Sequence, residues 1–168
     1  MQKDAYSIEE WENTHPRWEN LHFLMQGEQQ DYYWRQREHF DQFHHYFLVA
    51  LHEGELVGFL QFFLQSISLG EALLPLSLGE KPLIEAKILA FAVRIAWRRQ
   101  GIGRALQTQV ISRARALGCY QVRSYSSYGP EHEANYQLKL AMGYSVQPAQ
   151  RDSGANGAYF LLPLWPPL

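Results

Sequence analysis

The stretch that decides the fold is Glu85-Ala-Lys-Ile-Leu-Ala-Phe-Ala-Val93, followed by Arg98-Arg99-Gln100-Gly101-Ile102-Gly103 and a segment ending at Leu117-Gly118. From Ile88 to Val93 the residues are apolar on both faces, as in a central strand covered on two sides. From Gly101 onward, Ile102, Leu106, Val110, Ala114 and Leu117 recur on one stripe, with Arg104, Gln107, Ser112 and Arg115 opposite, which predicts a helix. Gly118 stands where a left-handed C-cap is favoured. A strand, a glycine turn and a helix without spacers put main-chain N–H groups at a helix N-terminus, where they can hold an anion such as phosphate.

Downstream, Tyr120–Ser126 alternates Val122 and Ser124 against Arg123 and Tyr125, and it follows the first strand through a helical crossover. The two strands are therefore expected to be parallel. Gly129-Pro130-Glu131 opens a second helix, whose apolar stripe is Ala134, Leu138, Ala141 and Met142 and whose end is Gly143. Tyr144–Gln147 and Ala158–Leu162 are closing strands around the polar loop that begins at Asp152. The second half thus reads β-α-β-α-β-β.

Upstream, Phe47–His52 and Leu56–Ser66 form a hairpin about Gly54. The turn residues His52-Glu53-Gly54-Glu55 break the Tyr46–Leu64 apolar region, so it is not a membrane span. Residues 67–82, with Leu69-Gly70, Leu74-Pro75, Leu78-Gly79 and Lys81-Pro82, read as a long irregular loop, either a lid or a surface excursion. Tyr33, Arg37, Phe40 and His44 recur at helical spacing and predict a helix over 30–45 with one aromatic face. A short strand near Leu21–Met25 is expected. His39, His44 and His45 cluster within 30–45, but none has a histidine or carboxylate at i+4, so no metal site is expected.

The chain has 168 residues, enough for one domain with a substantial core, and 46% are hydrophobic against 19% charged. A net charge of −2 gives no support to a nucleic-acid surface. Cys119 is the only cysteine, which excludes an intramolecular disulfide and points to a reducing, cytoplasmic setting. It reads as a packed small residue, not a nucleophile. Residues 1–12 carry acids where a signal peptide would have an apolar core. The apolar tail Leu161-Leu-Pro-Leu-Trp-Pro-Pro-Leu168 can pack on its own domain or on a partner, as in a homodimer.

A pair of glycines at i and i+2 is expected about once by chance in a chain of this length, and requiring Arg or Gln three residues earlier cuts that to roughly 0.1. Here Arg98-x-x-Gly101-x-Gly103 follows Ala90-Phe-Ala-Val93 and precedes Arg104-Ala-Leu, while Lys139-Leu-Ala-Met-Gly143-Tyr144 ends the next helix. In these residues the segment 85–148 resembles the core of the GNAT N-acetyltransferase superfamily. The rival dinucleotide motif needs a glycine where Leu106 stands.

The resemblance implies an α/β fold over residues 1–168, a mixed and centrally splayed sheet flanked by helices, with acetyl-CoA as cosubstrate and no metal. It implies that main-chain N–H groups of Gln100, Gly101, Ile102, Gly103 and Arg104 bind the pyrophosphate, with charge from Arg98, Arg99 and Arg104. The strand end, Phe91, Val93 and Ile95, would meet the pantetheine arm, with the Val93 N–H polarising the thioester carbonyl. Asn135 and Lys139 would add polar contacts to the cofactor.

For the chemistry, an alkylamine of pKa ~10.4 is neutral in roughly one molecule in 10³ at pH 7, so neutralising it costs about 4–5 kcal/mol. Glu85 is the candidate base, two residues before the place where the family often has an acid and this chain has Lys87. Glu85 and Lys87 share a strand face, and an exposed ion pair is the alternative for both. The tyrosine that the family often uses to protonate the departing thiolate would fall at Lys139, whose alternative is a solvent-facing position. Tyr136 and Tyr128 lie nearby without matching by position, and Tyr136 is the candidate acid. A thiol of pKa ~8.5 leaves with modest help. The expected activity is N-acetyl transfer to a primary amine of a small molecule or peptide. A CoA-binding module without transfer, or an acyltransferase with another donor or an O-acceptor, are the alternatives.

Overall fold

The computed structural model describes residues 6–68, 74–150, 154 and 156–165. In chain order the elements are β1 (Tyr6–Trp11), α1 (Trp18–Gly27), α2 (Tyr32–Arg35), α3 (Arg37–Phe40), β2 (His45–His52) and β3 (Glu55–Ser66). They continue with β4 (Ser77–Leu78), β5 (Lys81–Pro82), β6 (Ile84–Val93), α4 (Ile102–Ala116), β7 (Gln121–Ser127), α5 (Glu133–Ala141), β8 (Ser145–Gln150) and β9 (Asn156–Pro163). Single 3₁₀ turns at Ile95–Trp97 and Pro130–His132 lead into α4 and α5. Seven strands make one mixed sheet in the order β1-β2-β3-β6-β7-β9-β8, as the α/β expectation requires. The chain divides into two compact units, residues 1–63 with 89–112 and residues 64–88 with 113–168.

In the first unit, β1 and β2 are antiparallel from Tyr6↔His52 to Trp11↔Phe47, and β2 continues antiparallel to β3 with a register shift at Ala50/Leu51. The hairpin turn uses Glu53 and Gly54, both at positive φ (49° and 82°), which fits a two-residue turn whose twist suits the strands. Trp11, Leu21, Met25, Phe47, Val49, Leu56, Phe59 and Ala90 are buried together as its core. Each large apolar side chain so buried contributes about 1.5–3 kcal/mol.

Leu21–Met25 is not a strand but the middle of α1. Leu21 and Met25 are its buried residues, one turn apart, and the segment WENLHFLMQG holds no β-branched residue to favour a strand. Helix 30–45 becomes two single turns, α2 and α3, because Gln36 breaks the run at φ −129°, ψ 41°. His45 then already belongs to β2. β1 went unread because edge pairing with β2, not an apolar pattern, makes it a strand. Within 67–82 the described residues include a two-residue antiparallel pair, Ser77↔Pro82 and Leu78↔Lys81, while Leu69 to Leu73 lie outside the described residues.

In the second unit, β6 and β7 are parallel from Glu85↔Gln121 to Ile88↔Ser124, as the crossover argument expects. β9 is antiparallel to both β7 and β8. Ala86, Ile88, Val122, Tyr144, Ala158, Phe160 and Leu164 are buried. The described part of the tail packs on its own unit, Leu164 donating its N–H to Tyr120 C=O (2.8 Å) and Trp165 stacking on Tyr120, while residues 166–168 lie outside the described residues. Ile102, Leu106, Val110 and Ala114 are buried along α4, as read, but so is Gln107, which the helical pattern had placed on the polar side. α4 and α5 end alike. Gly118 (φ +79°) and Gly143 (φ +94°) are left-handed, and Cys119 and Tyr144 donate back to Ala114 and Lys139 C=O.

Candidate active site

The end of β6 is tied down within the first unit. Arg94 N–H donates to Val57 C=O (2.8 Å), and its guanidinium binds Glu55 (2.7 Å) and Leu56 C=O (3.3 Å). A Cβ at Gly58 would lie 3.0 Å from Ala92 C=O, so the close approach of β3 to this strand end uses a glycine. The 3₁₀ turn then carries Ile95, which is exposed, and Trp97, whose ring lies tilted against His52 at 4.5 Å.

The turn into α4 places Arg99 at φ +66° and Gly101 at φ +85°, both left-handed. The first helical bond runs from Ala105 N–H to Gly101 C=O (3.0 Å). The N–H groups of Ile102, Gly103 and Arg104 therefore have no i−4 partner inside the helix. No acidic residue stands in this first turn, and Arg99, Gln100, Gly101 and Arg104 are exposed while Ile102 is buried beneath them. Donor N–H groups, a positive helix end and free cations suit an anion such as a phosphate. Arg98 is otherwise engaged: its Nε donates to Val93 C=O (2.8 Å) and its Nη2 lies 3.9 Å from Glu28. Phe91 and Val93 are half-buried, and the main chain of Phe91 is met by Gln30.

In the second unit Glu85 is 1% exposed, so it is not half of an exposed ion pair with Lys87. Gln65 Nε2 donates to its Oε1 (3.1 Å), Gln121 Nε2 to its Oε2 (3.0 Å), and Arg123 Nη1 lies 3.7 Å away. The register that pairs Glu85 with Gln121 on β7 brings these groups together. Each carboxylate oxygen thus accepts one amide N–H. Cys119 is buried, and burial together with the Glu85 charge pushes its thiol up to about 11, in keeping with a packed residue.

Lys139 does not face solvent either. It is 1% exposed, its Nζ donates to Ser124 Oγ (2.5 Å) and lies 5.0 Å over the Phe160 ring. Burial pulls its amine down to about 7. One turn earlier, Tyr136 Oη donates to Ser126 C=O (3.0 Å) and meets Phe160 edge-on at 4.8 Å, and burial raises its phenol. Asn135 Nδ2 donates to Ser126 Oγ (3.3 Å), and its buried Oδ1 has no hydrogen-bond partner among the described residues. Tyr128 is exposed on the loop before α5. The structure thus joins Asn135, Tyr136 and Lys139 to Ser124 and Ser126, two residues the sequence reading gave no role. Their signal was present: small hydroxyls replacing large apolar residues on the inward face that Val122 begins.

Among the described residues no group of three or more His, Cys, Asp or Glu could hold a metal ion. His45 is spent locally, bonded to Phe40 C=O (2.8 Å) and Gln61 Nε2 (3.0 Å), and burial lowers its imidazole pKa. No helix of the described residues is long and apolar enough to cross a membrane.

A family model described as "Acetyltransferase (GNAT) family" matches residues 5–134. No curated protein sequence matches the chain. Among solved structures, Arabidopsis thaliana NAA60 in complex with acetyl-CoA is similar at TM-score 0.74 and 13% identity, over 95% of this chain and 99% of that one. A ribosomal-protein alanine N-acetyltransferase from Escherichia coli gives 0.62 and 17%, over 95% and 94%. An aminoglycoside 6′-N-acetyltransferase complexed with coenzyme A gives 0.64 and 14%, over 95% and 98%. At these identities the likeness carries the fold alone, and two of the three names print acceptors of different kinds, a ribosomal-protein alanine and an aminoglycoside.

Proposed function

Because the chain belongs to the GNAT acetyltransferase family, we propose that it is an acetyl-CoA-dependent N-acetyltransferase that acylates a primary amine of a small molecule or peptide by direct attack in a ternary complex. The observation that carries this is the start of α4: free N–H groups on Ile102, Gly103 and Arg104, left-handed Arg99 and Gly101, exposed arginines and no acid in the first turn. Acetyl-CoA supplies the activated acyl group, as a thioester whose leaving group is a thiolate.

This chain's residues then act as follows. Gln100 to Arg104 hold the pyrophosphate through main-chain N–H groups, and Arg99 and Arg104 add charge. The main chain of the strand end, Phe91 to Ile95, orients the pantetheine arm and aims an N–H at the acyl carbonyl, an arrangement that can lower a barrier by a few kcal/mol. Lys139, whose amine titrates near neutral pH, sits at the chain position of the expected acid and gives a proton to the departing thiolate, with Tyr136 and Asn135 both bonded to Ser126. Glu85 is the carboxylate assigned to proton uptake from the amine, on the lone pairs that Gln65 and Gln121 leave open.

The test is calorimetric titration with acetyl-CoA followed by a thiol-release screen over a panel of amines. Binding with release on at least one amine is expected. No binding of acetyl-CoA at high micromolar concentration would overturn the reading. Binding without release on any amine is the signature of the second reading, a CoA-binding module, which the holding of Glu85 by two structural amides favours.

A further inference from the structure

The parallel ladder of β6 with β7 runs from Glu85 to Ile88. Phe91 lies three residues beyond it, and its main chain is met by a side chain instead. Phe91 N–H donates to Gln30 Oε1 (2.7 Å), and Gln30 Nε2 donates to Phe91 C=O (3.0 Å). A single amide closes both bonds, because a primary amide carries one N–H on the same side as its oxygen. Both residues belong to the first unit.

Gln30 is delivered there by the end of α1. Its N–H donates to Met25 C=O (2.9 Å) and Gln29 N–H to Gln26 C=O (3.0 Å), the same closure that ends α4 and α5. The left-handed position that glycine fills in those helices is here Gln29, at φ +58°. Glu28, in the same loop, lies 3.9 Å from Arg98. The loop is thus fastened to the strand end by two side chains, at some backbone strain.

What Gln30 presents to Phe91 is an oxygen and an N–H nitrogen on one carbon. Addition of an amine to an acyl carbonyl creates the same O–C–N grouping: the nitrogen bonds the carbonyl carbon, and the π electron pair moves onto the oxygen. The oxygen pair then re-forms the C=O bond as the C–S bond breaks; the sulfur keeps the C–S electrons and takes up one proton, and the nitrogen gives one up. A main-chain N–H that meets the oxygen and a C=O that takes the amine N–H would suit that step, and in the free protein both are occupied by Gln30.

We propose that the Gln30 side-chain amide is an internal plug that mimics the O–C–N grouping at Phe91 and must leave when the acyl carbonyl of the donor takes the Phe91 N–H. The inference rests on the acetyl-transfer reading and deepens it. Gln30 is a gating residue, and Phe91, not Val93, supplies the polarising donor.

The experiment compares the affinities of CoA and acetyl-CoA for the wild-type chain, Gln30→Ala and Gln30→Met by calorimetry, with unfolding midpoints as a control. CoA lacks the acyl carbonyl and cancels effects on the rest of the cofactor. With the plug present, the carbonyl must exchange one bond for another, so the two ligands should bind alike. Without it, acetyl-CoA should gain about three- to tenfold over CoA, in both variants, the methionine variant keeping the side-chain length if alanine disturbs the loop. An unchanged CoA to acetyl-CoA ratio in folded variants overturns the plug. Equal tightening of both ligands also overturns it, since the displaced contact would then belong to the pantetheine arm. Failure of the wild-type chain to bind either ligand would instead remove the acetyl-transfer reading.

Discussion

Lys139 Nζ donates to Ser124 Oγ across 2.5 Å in a site 1% exposed at the lysine and 2% at the serine. A buried amine held by a hydroxyl is stable chiefly when neutral, which is why its proton leaves near pH 7. The same pairing gives α5 a structural liability at the residue proposed as proton donor.

The unfolded chain keeps this proton up to about 10.5 and the folded protein loses it at about 7. Between these values the unfolded state binds more protons, so this residue's contribution to stability rises with pH, and its penalty is present in full below pH 7. The span amounts to about 4–5 kcal/mol at about 1.4 kcal/mol per unit. Lys139→Met should therefore be more stable than wild type at pH 6 by a few kcal/mol, with the gap shrinking by pH 9.5. Urea unfolding at both pH values measures it, and a gap independent of pH would show that the lysine is not buried as an amine.

Glu85 holds Gln65 and Gln121 and lies near Arg123. Glu85→Ala leaves two half-buried amide donors and a guanidinium without their acceptor, a loss of about 2–4 kcal/mol. Glu85→Gln should lose less in denaturant midpoint. As proton acceptor, Glu85 would also set the acidic limb of the rate profile, and that limb should then vanish in Glu85→Gln. A variant profile superimposable on wild type would leave Glu85 a purely structural acceptor.

Gly101 and Gly103 separate conformation from ligand contact. At φ +85° an added Cβ in Gly101→Ala should lower stability by about 1–2 kcal/mol. Gly103→Leu lies within α4, where leucine is the better helix former, so its unfolding midpoint should hold. Its affinity for CoA should fall more than tenfold if the ligand's phosphates approach the main chain there. Calorimetry finding equal affinity would count against the cradle.

Gln29 carries the left-handed cap that Gly118 and Gly143 carry in the other long helices. Gln29→Gly should relieve strain of order 1 kcal/mol, less the added freedom of glycine in the unfolded chain. A rise of about 1–3 °C in midpoint is expected for a chain of this size. A fall would mean that Gln29 makes contacts worth more than its strain.

The sequence by itself determined the second half of the fold. Ile102, Leu106, Val110 and Ala114 at helical spacing, Gly118 and Gly143 at helix ends, and a strand on each side of α4 leave little choice but a parallel pair joined by a crossover, and all of these are local signals. The glycine turn before α4 was legible for the same reason, since Gly101 and the start of α4 depend on neighbours in the chain. The aromatic first third was not: Trp18, Tyr33, Trp34 and Phe47 pack with one another across long separations, so their spacing along the chain misled the reading of 18–45. Only tertiary structure decided the environments of the charged residues. Glu85 and Lys139 look like surface groups in the sequence. Burial follows from which residue of β7 lies opposite, Gln121 for one and Ser124 for the other, and for Lys139 that burial lowers the amine pKa. Gln30 belongs with them, because nothing local marks an amide that will settle on a main chain 61 residues away.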